Sequence, residues 1–125
     1  TNLEIYDNTA INSGGGIYSG GPTLTLDDCD LVSNQASFGG GLYAADNATI
    51  TILGGRIIQS VAEVGGGIRL SEGTISAVSL DLGEGLDDND PDDLDVAGMP
   101  NTYGALGRGP TFNCDTTSGT ATCSF

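Results

Sequence analysis

Three stretches of the chain alternate apolar and polar residues with a period of two: Thr23-Leu24-Thr25-Leu26, Ala48 to Leu53, and Gly73 to Val78. Each predicts a short β-strand with one face buried. Between them lie shorter apolar steps, Ile5-Tyr6, Leu31-Val32 and Ile57-Ile58, then Ile17-Tyr18, Leu42-Tyr43 and Ile68. None of these segments carries a helical 3.6-residue period, so the pattern predicts an all-β chain built from many short strands.

The steps recur. Glycine triplets start at Gly14, Gly39 and Gly65, spaced by 25 and 26 residues. Aligned without gaps, "LEIYDNTA", "CDLVSNQA" and "GRIIQSVA" superpose at a spacing of 26. Ile5, Leu31 and Ile57 share one column, with Leu82 as a fourth member from a degraded copy that begins at Gly73. Asn8, Asn34 and Ser60 share another, and Tyr18, Tyr43 and Arg69 a third. The period is shorter than a propeller blade and lacks the leucine and asparagine spacing of leucine-rich repeats. It fits one turn of a parallel β-solenoid with about three strands, about four coils in all, whose identical columns become ladders along the axis. Ile5, Leu31 and Ile57 are expected to form an aliphatic ladder inside, and Asn8 and Asn34 an amide ladder at a corner. The triplets mark bends where stacked backbones pass too closely for a Cβ. A phosphate-binding loop is excluded, because no Gly-Lys-Ser/Thr follows and no helix pattern begins there.

"NQASFGGGLY" and its neighbours "NTAINSGGGIY" and "SVAEVGGGIR" resemble the repeats of right-handed parallel β-helix proteins. Polymorphic outer-membrane proteins and secreted bacterial β-helix proteins are the nearest likeness. The resemblance spans roughly residues 1–80 and implies a right-handed coil and a secreted or cell-surface protein. Members of such families include adhesins, structural stalks and carbohydrate-active enzymes, so it leaves function open.

Composition sharpens the picture. The 125 residues hold 17 acidic residues against three arginines, a net charge of −14, with no His and no Lys. Such a surface repels nucleic acid and anionic membranes, and no apolar run is long enough to span a bilayer. The chain opens at Thr1 without a Met, which reads as a processed or excised segment. Cys114 and Cys123 flank a polar turn and are expected to form a disulfide in an oxidising, extracellular setting, leaving Cys29 free and buried.

Three regions follow: repeats over 1–80, an acidic loop within the last coil over 81–98, and a cap with a disulfide hairpin over 99–125. In the acidic loop Asp87, Asp88, Asn89, Asp90, Asp92 and Asp93 offer hard oxygen ligands, so calcium binding is expected there. The stretch is not an EF-hand, lacking that loop's Gly and terminal Glu.

An enzyme is disfavoured, because the commonest general bases are missing. A carbohydrate-binding or adhesin-like module is the alternative, with Tyr18 and Tyr43 as a small aromatic platform. The leading expectation is a structural, self-assembling protein. Leu3 and Ile5 would form an uncovered end coil that stacks head-to-tail on the last coil of the next copy, giving a filament.

Overall fold

A computed structural model describes residues 3–99, 103, 104, 106–117 and 120–125. Twelve strands form three sheets, one on each side of the coil. The first sheet holds β1 (Glu4–Tyr6), β4 (Asp30–Val32) and β7 (Arg56–Ile58). The second holds β2 (Ile17–Ser19), β5 (Leu42–Ala44), β8 (Ile68–Leu70) and β10 (Leu94–Val96). The third holds β3 (Thr23–Asp27), β6 (Ala48–Leu53) and β9 (Gly73–Val78), extended by β11 (Phe112–Asp115) and β12 (Thr122–Ser124).

All pairings between coils are parallel and follow the sequence columns: Ile5 with Leu31 with Ile57, and Ile17 with Leu42 with Ile68. The fourth coil continues the first sheet through Asp81, bridged to Arg56, which carries Leu82 into the Ile57 column. Leu31, Ile57 and Leu82 are fully buried in one core with Ile50, Ile52, Ile75, Leu42 and Ile68. Ile5 is half-buried, since no described strand lies beside β1 on the side away from β4. Ile58 is buried outside that core, on the other side of its strand.

The glycine triplets mark close backbone passages, as the sequence suggested. Gly39 has φ of +61°, where an L side chain is strained. A Cβ on Gly40 would lie 2.5 Å from the Gly66 carbonyl oxygen of the next coil.

The C-terminal region departs from expectation. Tyr103 bridges Leu94 antiparallel, Arg108 bridges Asp81 antiparallel, and β11 pairs antiparallel with β9. The segment therefore visits second, first and third sheets in turn, the reverse of the order followed by the coils. It is one counter-turn laid over the last coil, and the expected hairpin of β11 and β12 is only its final part. Cys114 and Cys123 face each other there and are disulfide-bonded, while Cys29 is a buried thiol outside the disulfide. Thr1 and Asn2 of the repeat region, and Ser118 and Gly119 of the hairpin turn, lie outside the described residues.

Candidate functional site

The distinctive chemistry lies at the two ends of the solenoid. At the C-terminal end the corner ladder continues into the acidic run. Asn34, fully buried, donates from Nδ2 to the Ile5 carbonyl at 2.9 Å and accepts the Asn8 N–H at 3.1 Å. Asn89 repeats this two coils later, on the far side of Ser60: its Oδ1 accepts the Ser60 N–H at 3.0 Å, and its Nδ2 reaches the carbonyls of Ile57 and Leu82, each at 2.8 Å. The ladder is thus Asn8, Asn34, Ser60 and Asn89. The sequence alignment missed its last member, because the 3₁₀ turn Gly85–Asp87 lengthens this corner and sets Asn89 at a sequence separation of 29 from Ser60.

Asp93 occupies a glycine column. Ile17, Leu42 and Ile68 donate their N–H groups to the carbonyls of Gly41, Gly67 and Asp93 in turn. A Cβ on Gly67 would lie 2.5 Å from the Asp93 carbonyl oxygen. Beyond Asp93 there is no further parallel coil, so a side chain fits where every earlier coil needs glycine. Its carboxylate turns into the counter-turn and is fully buried. Oδ1 accepts from Asn89 Nδ2 at 3.0 Å, and Oδ2 accepts the N–H groups of Leu106 and Gly107. Burial drives its pKa up to about 6; the bonds from Asn89, Leu106 and Gly107 oppose the rise and the nearby Asp88 charge adds to it.

The remaining residues of the expected calcium site are dispersed. Asp87 pairs with Arg108 at 3.4 Å and accepts from Gln59 Nε2. Asp88 accepts the N–H of Asn89, and Asp90 pairs through its backbone with Val61. Asp92 gives its carbonyl to the Gly67 N–H. Asn89 and Asp93 serve the closure of the coil. Among the described residues no three His, Cys, Asp or Glu side chains are gathered as a metal site requires.

On the second sheet Tyr18, Tyr43, Arg69 and Asp95 stand in one column. The two tyrosine rings stack with centroids 5.3 Å apart and planes 14° apart. Arg69 forms an ion pair with Asp95. Burial lowers its guanidinium pKa, with Tyr43 pulling the other way. Arg56 pairs with Asp30 at 2.8 Å, so all three arginines face a carboxylate.

The N-terminal end is the opposite of the C-terminal one. No described strand covers β1, β2 or β3 on that side. Leu3 is 49% exposed, Ile11 90% and Tyr18 54%. Ile5, named with Leu3 as an assembly residue, directs its carbonyl toward the second coil, where Asn34 takes it. The peptide groups that face the open end include those of its neighbours, Glu4 and Tyr6, of Tyr18 in β2, and of Thr23 and Thr25 in β3.

These features define a class, the parallel β-solenoid of about four turns, closed at one end by its own chain. No family model, no curated protein and no solved structure matches the chain. Among the described residues no helix is long and apolar enough to cross a membrane.

Proposed function

We propose that the chain is an extracellular structural β-solenoid module that joins end-on, through its first coil, to the first coil of a second copy. The observation that carries this is the asymmetry of the ends. The last coil's three sheets are each paired with the counter-turn, whereas the first coil presents three strand edges beside half-buried Ile5, Ile17 and Leu24. Unpaired edges beside apolar surface recruit another strand. Head-to-tail stacking would need a free last coil, and the counter-turn covers that coil, which favours a pair joined through first coils over the expected filament. The disulfide supports an oxidising setting. Two copies at −14 each repel, so salt should favour the pair.

Sedimentation across a concentration series tests this. A salt-strengthened dimer that Tyr18→Pro converts to monomer supports it, because that N–H faces the open end. A monomer under every condition, or a ladder of larger species, overturns it.

A second reading, a carbohydrate-binding module, draws on the stacked Tyr18 and Tyr43 beside the Arg69–Asp95 pair. Stacked rings with a polar neighbour suit sugar faces. Glycan-array binding abolished by Tyr43→Ala would support it.

A further inference from the structure

The outer face of the third sheet carries two columns of short polar side chains. In order across β3, β6, β9, β11 and β12, one column reads Thr23, Thr49, Thr74, Asp115 and Thr122. The other reads Thr25, Thr51, Ser76, Asn113 and Ser124. Their strand neighbours Ile50, Ile52, Ile75, Ala77, Phe112 and Cys114 are buried, so these ten point away from the core. Eight of the ten carry a hydroxyl.

Charge is sparse on this face: a third column at its edge, Asp27, Leu53 and Val78, adds one carboxylate. The chain has 17 acidic residues, yet only Asp115 is among the ten. Its Oδ1 is taken by the N–H and the hydroxyl of Thr117, both at 2.6 Å, which hold its pKa down. None of the ten is aromatic or basic.

The spacing is fixed by the fold. Successive strands lie about 4.8 Å apart, and alternate residues along a strand about 6.6 Å apart. The parallel strands stack in register, Thr23 on Thr49 on Thr74 and Thr25 on Thr51 on Ser76. Threonine's β-branched χ1 is stiff, so methyl and hydroxyl positions are largely set before any ligand arrives and little entropy is lost on binding.

We propose that this face binds the surface of ice. The partner must be uncharged, must offer hydrogen-bonding groups that repeat in two dimensions, and must need no aromatic stacking. Soluble glycans are poorly served: Thr74, Ser76, Asn113, Asp115, Thr122 and Ser124 line an open depression, but no aromatic ring stands in it to stack on a sugar. A second protein would want a central cluster of apolar or arginine anchors, and this face offers only Leu53 and Val78, both at one edge. An ordered water lattice repeats its oxygens in two directions on a similar scale. Methyl groups between the hydroxyls favour ordered over bulk water, where carboxylates would hold their own hydration shells.

The test uses the purified, disulfide-intact chain, labelled at its N-terminal amine, with a slowly grown polycrystalline ice shell. Enrichment in the ice several-fold over a neutral globular control is expected, with faceted crystal growth under the microscope. The double variant Thr49→Lys, Thr51→Lys should be excluded from the ice while keeping the native circular dichroism and melting temperature. Should that variant fail to fold, Thr51→Tyr, which strands accept readily, takes its place. Exclusion of the native chain from ice, or equal partition of native and folded variant, overturns the proposal. Exclusion from ice with tight adsorption to crystalline cellulose overturns it too, and assigns the face to a polysaccharide lattice.

Discussion

Asp93 Oδ2 lies 2.6 Å from the backbone nitrogen of Leu106, thirteen residues further along the chain. A carboxylate in the last glycine column thereby ties the counter-turn to the coil beneath it.

This contact makes stability depend on pH. The folded-state pKa of Asp93, about 6, stands above the ordinary carboxylate value near 4. Between those values the native state holds the extra proton, so stability falls as pH rises from about 4 through about 6. Asp93's contribution is fully present below about 4. Melting temperatures measured across this window should show the slope in the native chain and a flatter one in Asp93→Asn. The general relief of acidic repulsion is common to both and cancels in the comparison.

The amide ladder should be worth more inside than at the end. Asn34→Ala leaves the Ile5 carbonyl and the Asn8 N–H without their partner at a part-buried corner, costing about 1 kcal/mol or more. Asn8→Ala, at the exposed first rung, should cost about 0.5 kcal/mol or less. Urea unfolding of the two variants checks the difference, and equal losses would remove the ladder from the account.

Gly40→Ala should be far more harmful than Gly104→Ala. The first places a Cβ against the carbonyls of Gly66 and Val61, and stacked backbone cannot move aside without opening the coil. A loss on the order of 3 kcal/mol is expected. At Gly104 nothing lies within 4 Å of the added Cβ, so the change should stay within about 0.5 kcal/mol. Thermal unfolding of both settles the comparison.

Removing the Cys114–Cys123 bond, which closes a loop of sequence separation nine, should cost about 2–3 kcal/mol. Hydrogen exchange after mild reduction should rise first in β11 and β12. Cys29, buried in the core, should react with a thiol reagent only when the coils open. Fast labelling of Cys29 in the folded protein would contradict the placement of its column.

The ladders were legible because the spacing of 26 holds from Leu3 to Ala62 and puts chemically alike residues in register. Reading stopped where that spacing broke. Asn89 does the work of Asn34, but the turn Gly85–Asp87 shifts it out of the alignment, and among five aspartates it read as a ligand. Asp93 was obscured in the same way. By charge it belongs to an acidic run, and only the hydrogen bond from Ile68 places it in a glycine column. The counter-turn has no periodic signal, because it meets the coil through single bridges at Tyr103 and Arg108 before β11 begins.

The counter-turn also sets an order of events during synthesis. Residues 103–124 leave the ribosome after every coil they cover. Until then each newly laid coil exposes a fresh row of unpaired peptide groups, and the fourth keeps that row until Tyr103, Arg108 and β11 arrive. Exposed edges of this kind are where partly made chains stick to one another. A product cut short before Tyr103 would keep nearly all of its core and still be aggregation-prone. The finished chain is thus told apart from an unfinished one by its C-terminal edge, and a chaperone bound to that edge would let go only when the counter-turn docks.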